Sequence, residues 1–259
     1  MQQVLCRVVR RAQLADDVVA LAFESAELAR TARAGQFIGV KCGENLLRRP
    51  ISICDVTGDE LTIVFALKGA GTQFLAERKV GDVLDVLGTL GNGFDIPEGE
   101  ILVVGGGIGS PPLLSAAKTA QTESVNDVAT SRVTAILGFR SKPNVILARE
   151  FATVCREVYI TTDDGTFGRH GTVAAPLEEL LSARKFAAVL ACGPRPMLRA
   201  VAEVAERHGV TCQVSLEERM ACGVGACLVC VCATRKDGEI ANRRVCRDGP
   251  VLDSREVIL

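Results

Sequence analysis

The chain is poor in the side chains on which many active sites depend: its 259 residues include no tryptophan, one tyrosine and two histidines. A metal centre or acid–base site built on histidine therefore has almost no material. No run of 18 apolar residues occurs, so we expect no membrane-spanning helix. Residues 1–7 lack the charged-then-apolar pattern of a secretory signal peptide. The net charge of -1 gives no electrostatic basis for binding nucleic acid.

Cysteine, by contrast, is abundant, with eleven residues. Seven of them occur singly in apolar segments, where free cysteines usually act as small buried hydrophobic residues. These seven are Cys6, Cys42, Cys54, Cys155, Cys192, Cys212 and Cys232. Unpaired, buried thiols are typical of a reducing compartment, so the sequence predicts a cytoplasmic protein.

The other four cysteines have the spacing of an iron–sulfur site. Cys222, Cys227 and Cys230 follow the pattern C-x4-C-x2-C, and Cys246 comes after fifteen further residues. This is the plant-type spacing for a [2Fe–2S] cluster held by four thiolates. Two glycines between the first two cysteines allow the backbone to curl and direct its N–H groups at the sulfur atoms. Such a cluster carries single electrons, so the sequence predicts an electron carrier.

A zinc site is the alternative interpretation of these cysteines. Zinc usually takes paired C-x2–4-C knuckles, whereas three cysteines here crowd one loop. Cys232 lies two residues after Cys230, on the same face of an extended segment, and could replace it as a ligand. We expect it to be a bystander.

Hydrophobic periodicity divides the chain into three parts and predicts a β plus α/β fold. Residues 1–97 contain about six short strands separated by turns, which predicts a six-stranded antiparallel barrel. Residues 98–210 alternate strands and helices, which predicts a parallel sheet covered on both faces. Residues 211–259 form a small cluster domain after a last strand at 212–216. The polar segment 122–131 is expected to be a loop.

A glycine cluster between a buried strand and a helix marks a candidate nucleotide site. Gly105, Gly107 and Gly109 lie where a dinucleotide pyrophosphate binds free N–H groups at a helix N-terminus. A tight structural turn is the alternative. Arg140 and Lys142, after the next strand, would favour a 2′-phosphate, so composition leaves NADH and NADPH both open.

The tripeptide Cys192, Gly193, Pro194 follows another strand of the expected parallel sheet. Ligands of such sheets lie at the carboxyl ends of the strands. Cys192 is therefore expected either to line the nicotinamide site or to be an ordinary buried cysteine.

Two segments of the expected barrel could bind a phosphate-bearing cofactor. Arg49, in the segment Arg49-Pro50-Ile51-Ser52, can hold phosphate with two hydrogen bonds, and Ser52 can bond a flavin edge. Gly71 and Thr72 precede an expected helix over 73–77 and form a second candidate phosphate cradle. The segment 49–52 could instead be a strand edge with a charged flank.

Taken together, these motifs resemble the ferredoxin–NADP reductase superfamily and, within it, the electron-transfer subunits of type B dihydroorotate dehydrogenase. The resemblance runs the whole length of the chain. Its most specific segments are 48–53, 90–94, 105–112, 163–168 and 215–227.

The resemblance implies FAD on the barrel, NAD(H) on the parallel sheet and a [2Fe–2S] cluster. The flavin and its ribityl chain would contact Arg49, Pro50, Ile51 and Ser52, and the isoalloxazine would lie beside Val64, Phe65 and Ala66. Gly71 and Thr72 would hold the pyrophosphate. The cluster ligands fall on Cys222, Cys227, Cys230 and Cys246.

The resemblance also implies a partner. In the family, dihydroorotate is oxidised at an FMN in a separate catalytic subunit, and electrons pass through the cluster and FAD to NAD. We therefore expect a heterotetramer of two subunits of each kind that works in pyrimidine biosynthesis. No catalytic residue is expected on this chain, since the flavin carries the chemistry. The alternatives are a related reductase serving a ferredoxin, an oxygenase or a hydrogenase-type complex, and a redox-sensing or zinc-stabilised binding protein.

Overall fold

A computed structural model describes residues 2–121, 131–236 and 238–259 of the chain. All but the last residue of the loop expected over 122–131 lies outside the described residues. None of the described helices is long and apolar enough to cross a membrane.

The N-terminal part is a closed antiparallel barrel, which confirms the sequence prediction. Its strands in chain order are β1 (Gln2–Ala15), β2 (Val18–Glu24), β3 (Phe37–Val40), β4 (Arg49–Thr57), β5 (Glu60–Ala66) and β6 (Val83–Leu90). Around the barrel they follow the order β1-β2-β5-β4-β3-β6. Alternate side chains of these strands fill the interior, as Leu21, Phe23 and Ile63 do, because successive residues of a strand point to opposite faces.

Two short helices connect barrel strands. Helix α1 (Ala26–Thr31) begins after Ser25, whose hydroxyl accepts a hydrogen bond from the Leu28 amide (3.3 Å). The sequence analysis missed this helix, because one buried leucine in six residues gives no periodicity. Helix α2 (Ala70–Ala76) begins earlier than the expected helix over 73–77, so Gly71 and Thr72 lie in its first turn and not before it.

The second part is a seven-stranded sheet in the order β10-β9-β8-β7-β11-β12-β15. Its strands are β7 (Ile101–Gly106), β8 (Val133–Phe139), β9 (Glu157–Thr162), β10 (Arg169–His170), β11 (Ala188–Cys192), β12 (Thr211–Ser215) and β15 (Val251–Asp253). All neighbouring pairs are parallel except β12 and β15. The five longer predicted strands are therefore found, and the two short edge strands β10 and β15 were missed.

Helices cover both faces of this sheet, as the alternation of strands and helices predicted. They are α3 (Ser110–Gln121), α4 (Ala148–Ala152), α5 (Ala174–Ala183) and α6 (Arg195–Arg207). Ile101 and Val103 of β7 pack on the side of α3, whereas Leu102 and Val104 pack on the side of α5 and α6. Helix α4 is shorter than the expected 146–154, because Leu147 has a left-handed backbone (φ 58°) that cannot continue a helix.

Helix α3 also packs against β4 of the barrel, so it joins the two larger parts of the molecule. Val64, Cys54 and Leu113 share one apolar cluster across this junction, and Lys118 pairs with Asp55 of β4 (2.5 Å). The relative position of barrel and sheet is thus set by both apolar packing and an ion pair.

The last part contains the four cysteines expected to hold a cluster and a hairpin of β13 (Val231–Lys236) and β14 (Glu239–Arg244). The chain then returns to the sheet as β15. The domain boundary expected at residue 211 falls at the start of β12. Because β12 pairs with both β11 and β15, the sheet continues across this position, and the domain boundary stays a prediction.

Candidate cofactor sites

The glycine cluster forms a tight turn between β7 and α3. A 3-10 turn spans Gly107–Gly109, and Gly107 has a positive φ of 53° with no atom within 4 Å of where a Cβ would lie. A Cβ on Gly109 would lie 2.4 Å from the Cys192 carbonyl oxygen, and one on Gly105 would lie 2.7 Å from the Ser110 hydroxyl. Glycine is thus required for close packing on one side and leaves open space on the other, as a cradle for phosphate needs.

Cys192, Gly193 and Pro194 lie directly against this turn, at the carboxyl end of β11. The Cys192 thiol is half-buried. Burial raises its pKa to about 12, a hydrogen bond with Ser215 opposes this shift, and the charge of Glu217 adds to it. The thiol therefore stays protonated, so any role at a nicotinamide is that of a neutral contact and not of a thiolate nucleophile.

Sequence reasoning missed the part that Gly106 and Met197 play in holding these loops together. A Cβ on Gly106 would lie 2.4 Å from Met197 Sδ, and one on Gly193 would lie 2.6 Å from Met197 Cε. The Met197 side chain of α6 is therefore inserted between the glycine turn and the Cys-Gly-Pro loop. The middle glycine of the Gly-Gly-Gly run was the available signal.

The exposed cations Arg140 and Lys142 follow β8 and lie beside the loop after β9, at the carboxyl ends of the strands. The Lys142 amide donates to Thr166 Oγ1 (2.9 Å), and the Thr166 amide and hydroxyl both donate to Asp164 Oδ1 (3.0 and 2.7 Å). These hydrogen bonds lower the pKa of Asp164. Cations and carboxylates thus share the edge, and the choice between NADH and NADPH stays open at the level of geometry.

On the barrel, the structure brings two of the predicted flavin segments together. A Cβ on Gly71 would lie 2.3 Å from Arg49 Nε, so the guanidinium lies across the start of α2. The Thr72 hydroxyl accepts the Lys68 and Gly69 amides (2.9 and 3.1 Å) and donates to the Gly69 carbonyl (3.0 Å). The hydroxyl therefore holds the turn itself, which leaves Arg49 and backbone amides to face a pyrophosphate. A flavin dinucleotide fits this donor set.

The predicted flavin strands present only some of their side chains to the outside. Ile51 and Phe65 are buried in the barrel interior, so they can reach a flavin only through their backbone. Pro50 is exposed and Ser52 is half-buried on β4. Val64 and Ala66 face the sheet, where they share an apolar cluster with Ile108 of the glycine turn and with Cys192. Strand β5, expected to lie beside the isoalloxazine, therefore touches the turn expected to hold NAD.

The four predicted cluster ligands lie as two pairs of thiols. The Cys222 thiol lies next to Cys227, and the Cys246 amide donates to Cys230 Sγ (3.4 Å). Nowhere in the described ranges do three His, Cys, Asp or Glu side chains converge as they would around one metal ion. Two thiolates for each of two iron atoms is the ligand distribution of a [2Fe–2S] cluster. Four thiols in two neighbouring pairs are a donor set that fits such a cluster, and the ligand assignment itself stays a prediction.

Backbone donors prepare part of this loop for negative charge. Burial opposes ionisation of Cys222, but the Val224 and Ala226 amides (3.4 and 3.3 Å) and Cys227 outweigh it and lower its pKa to about 6. Burial and the adjacent Cys230 raise the pKa of Cys246 to about 12. N–H groups directed at a sulfur atom are what an anionic cluster needs. Buried Cys232 lies outside both pairs, as expected of a bystander.

A groove joins the barrel to the cluster loop. Its barrel side consists of Phe37, Gly39, Arg48, Pro50, Leu87 and Leu90, and its other side of Met220, Ala221, Cys222 and Gly223. Pro50 of the predicted flavin strand and Cys222 of the predicted cluster therefore line one groove. The exposed Lys68 and Glu217 side chains approach within 3.8 Å near the same junction.

Models of two protein families match the chain. The iron–sulfur cluster binding domain of dihydroorotate dehydrogenase B matches residues 217–258, and the oxidoreductase NAD-binding domain matches residues 103–203. The first covers all four cysteines of the two pairs, and the second covers the glycine turn and the Cys-Gly-Pro loop.

Whole-length relatives carry one name. The chain is 39% identical over 254 residues to the dihydroorotate dehydrogenase B (NAD(+)), electron transfer subunit, of Caldanaerobacter subterraneus subsp. tengcongensis, covering 97% of each chain. It is 38% identical over 261 residues to the protein of that name from Streptococcus pneumoniae, covering 98% of this chain and 97% of the other.

Solved structures agree on the fold. An NADH-dependent reduced ferredoxin-NADP oxidoreductase, studied for flavin-based electron bifurcation, superposes with a TM-score of 0.84 at 32% identity, covering 98% of this chain and 90% of that one. The Amycolatopsis cytochrome P450 reductase GcoB superposes with a TM-score of 0.66 at 21% identity, covering 80% and 66%, which shows a common fold alone. From the full-length relatives, the chain belongs to the family of electron transfer subunits of dihydroorotate dehydrogenase B.

Proposed function

We propose that this chain is the electron-transfer subunit of an NAD-dependent dihydroorotate dehydrogenase in pyrimidine (UMP) biosynthesis. Electrons would come from an FMN-containing catalytic subunit and pass through a [2Fe–2S] cluster and FAD to NAD, in a heterotetramer of two subunits of each kind. One observation carries the proposal: barrel strand β5 contacts the glycine turn, and its neighbour β4 lines a groove with Cys222 through Pro50.

That order matches what the cofactors can do. NAD exchanges a hydride, a cluster exchanges single electrons, and a flavin exchanges either, so the flavin has to lie between the other two. In this chain, Arg49 and the Gly71 cradle would hold the flavin dinucleotide, and Gly105, Gly107 and Gly109 would hold the NAD pyrophosphate. Cys192, Gly193 and Pro194 would border the nicotinamide, with the Cys192 thiol protonated and therefore uncharged.

The cluster loop supplies a surface for the catalytic subunit. Cys227 is exposed, and the apolar Leu228 and Val229 beside it are 62% and 51% exposed. Exposed apolar side chains next to a redox centre are typical of a docking site, because the partner has to come close to exchange electrons. We therefore infer that the catalytic subunit covers this loop.

The three-part organisation belongs to the same proposal, with FAD on residues 1–97, NAD on 98–210 and the cluster on 211–259. We place the protein in the cytoplasm. All eleven cysteines are free thiols, and four of them would be needed as thiolate ligands, which a reducing compartment allows.

Replacing Cys227 with serine tests the relay. In the complex with its catalytic subunit, Cys227→Ser should abolish dihydroorotate-dependent NAD reduction, while NADH-to-dye activity, which needs only NAD and FAD, should persist. Cys232→Ser is the matched control, since Cys232 is buried nearby but outside both thiol pairs. If the Cys227 variant retains full dihydroorotate:NAD activity, the relay is wrong.

A second candidate function is a reductase for another redox protein. The 0.84 TM-score with a ferredoxin-dependent oxidoreductase favours it, because the same cofactor set would serve that partner. Anaerobic affinity purification of this chain from its native cells separates the two. Recovery of an FMN-containing dihydroorotate dehydrogenase subunit in comparable amount supports the first function, and recovery of a ferredoxin or oxygenase supports the second.

A further inference from the structure

We propose that Asn92 is a positioning residue that fixes the turn carrying Cys246 against the barrel, and so sets where the cluster lies relative to the flavin strands. The Cys246 turn is defined here as residues 246–251. Asn92 comes directly after barrel strand β6, more than 150 positions earlier in the chain. The inference rests on the proposed function, because it assigns a role toward the cluster and the flavin.

Asn92 clamps the turn through three good hydrogen bonds. Its Oδ1 accepts from the Val251 amide (3.0 Å), and its Nδ2 donates to the Val251 carbonyl (2.8 Å). The Asn92 backbone amide donates to the Gly249 carbonyl (2.6 Å). Asn92 Nδ2 also lies 3.5 Å from the Asp248 carbonyl. A side chain that satisfies both the N–H and the C=O of one residue fixes the register of that segment as a neighbouring strand would.

Close packing next to Asn92 removes the freedom to slide. Gly91 has a positive φ of 71°, and a Cβ there would lie 2.5 Å from Pro250 Cδ and 2.7 Å from the Gly249 carbonyl oxygen. The Gly91 carbonyl itself accepts a hydrogen bond from the side-chain amide Nε2 of Gln36 (2.8 Å). Glycine is required here because the two backbones meet without room for a side chain.

The same end of β6 also touches the other half of the cluster loop. A Cβ on Gly223 would lie 3.6 Å from Leu90 Cδ1, and both residues line the groove that contains Cys222. Leu90 therefore contacts the Cys222–Cys227 side, while Asn92, two residues later, holds the Cys246 side. Because β6 neighbours β3 and β3 neighbours β4, this contact is continuous with the flavin strand.

Asn92 differs from the apolar contacts around it in what it can specify. Apolar packing is non-directional and tolerates small displacements, whereas a two-point amide clamp has one geometry. Electron transfer from a cluster to a flavin depends steeply on their separation, so a directional contact has an effect on rate that packing alone does not provide.

The matched control is a second two-point amide contact, made to Asp95, three residues after Asn92. Gln213 of β12 accepts the Asp95 amide (2.9 Å) and donates to the Asp95 carbonyl, so it makes the same kind of two-point contact. It joins the barrel exit to the parallel sheet, and neither of these two hydrogen bonds reaches the Cys246 turn. Gln213→Ala therefore removes an equivalent clamp without the proposed role.

The test compares Asn92→Ala, Asn92→Asp and Gln213→Ala in the holoprotein bound to its catalytic subunit. Asn92→Asp keeps the acceptor for the Val251 amide but places a carboxylate oxygen against the Val251 carbonyl, so it breaks the clamp at nearly constant side-chain volume. Hydrogen exchange of residues 246–251, the EPR spectrum of the dithionite-reduced cluster and the stopped-flow rate of cluster-to-flavin electron transfer are measured, together with the melting temperature.

We expect Asn92→Ala to speed amide exchange in the Cys246 turn about tenfold, as the loss of two hydrogen bonds predicts. The reduced-cluster spectrum should change and the electron-transfer rate should fall in both Asn92 variants, since each loses the hydrogen bond to the Val251 carbonyl. Gln213→Ala should lower the melting temperature similarly and leave the spectrum and the rate unchanged.

A wild-type spectrum and rate in both Asn92 variants would overturn the inference, as would equal changes in the Gln213 variant. Failure of the proposed function has a different signature, because the wild-type protein itself would then contain zinc or lack flavin and acid-labile sulfide. A wild-type protein with intact cofactors and unaltered Asn92 variants would refute only the role of Asn92.

Discussion

Replacing Gly109 with alanine should lower the free energy of unfolding more than it weakens the binding of any ligand. The new Cβ would lie 2.4 Å from the Cys192 carbonyl oxygen, 2.6 Å from its carbonyl carbon and 2.7 Å from the Gly193 nitrogen. These are backbone atoms at the end of β11, which is paired with β7 through Cys192 and Gly105. They cannot rotate away as a side chain can, so the sheet edge or the glycine turn has to move.

The magnitude follows from the kind of clash. Overpacking of a close-packed site usually costs 1–3 kcal/mol, and rigid backbone neighbours put Gly109→Ala near the upper end, at about 3 kcal/mol. For a chain of this size, each kcal/mol lowers the melting temperature by roughly 2–4 °C. We therefore expect a decrease of about 6–12 °C.

Gly107→Ala is the matched comparison within the same turn. A Cβ at Gly107 meets no atom within 4 Å, so only the positive φ of 53° opposes alanine. That backbone cost is about 1 kcal/mol, or about 2–4 °C. If the open space beside Gly107 receives the NAD pyrophosphate, its methyl group should nevertheless weaken NADH binding by about tenfold or more, since phosphate needs close approach of the backbone.

Differential scanning fluorimetry and NADH titration of the two variants check this crossed pattern. Gly109→Ala should be the less stable variant, and Gly107→Ala should lose more NADH affinity than its small change in stability explains. Equal or greater stability of Gly109→Ala would refute the packing argument. Unaltered NADH affinity in Gly107→Ala would show that the nucleotide does not lie on this turn.

Two further predictions concern single atoms. The Ser110 hydroxyl is buried and has no hydrogen-bond partner among the described residues, so Ser110→Ala should stabilise the protein by about 1 kcal/mol in thermal unfolding; a lower melting temperature would mean that the hydroxyl has a partner. In the cluster-free chain, the pKa of Cys222 lies at about 6, below the ordinary value for a thiol, so its thiolate contributes stability that is present above the unfolded pKa and is lost as the pH falls through 6. Iodoacetamide mapped by mass spectrometry at pH 7 should therefore label Cys222 well before Cys246, whose pKa is about 12, and equal labelling with a common midpoint near pH 9 would contradict this order.

Periodicity and turn residues were enough to predict the barrel, the alternation of strands and helices, and most element positions. These features depend on which residues are apolar and how often they recur, and that information is local. The misses were short elements such as α1 and β10, in which too few residues occur to show a period. Strand β15 was missed for another reason, since its pairing with β12 depends on the path of the whole cluster segment.

The candidate sites divide in the same way. The spacing of the cysteines and the glycine cluster are sequence features, and the structure places both in loops. Sequence could not show that Ile51 and Phe65 point into the barrel, because strand register decides which face a residue occupies. Nor could it show that Met197 is inserted between the two nucleotide loops or that Arg49 lies over Gly71.

The sequence by itself determined the chemistry available to this protein: four thiols at cluster spacing, glycines where a nucleotide can approach backbone, and almost no histidine. These properties follow from residue types at short separations, where chain geometry restricts the possible arrangements. The tertiary structure alone placed barrel strands β4 and β5 between the glycine turn and Cys222, and placed Asn92 against the Cys246 turn. Contacts between residues more than 150 positions apart depend on how distant segments of the chain pack together, and no local pattern records that packing.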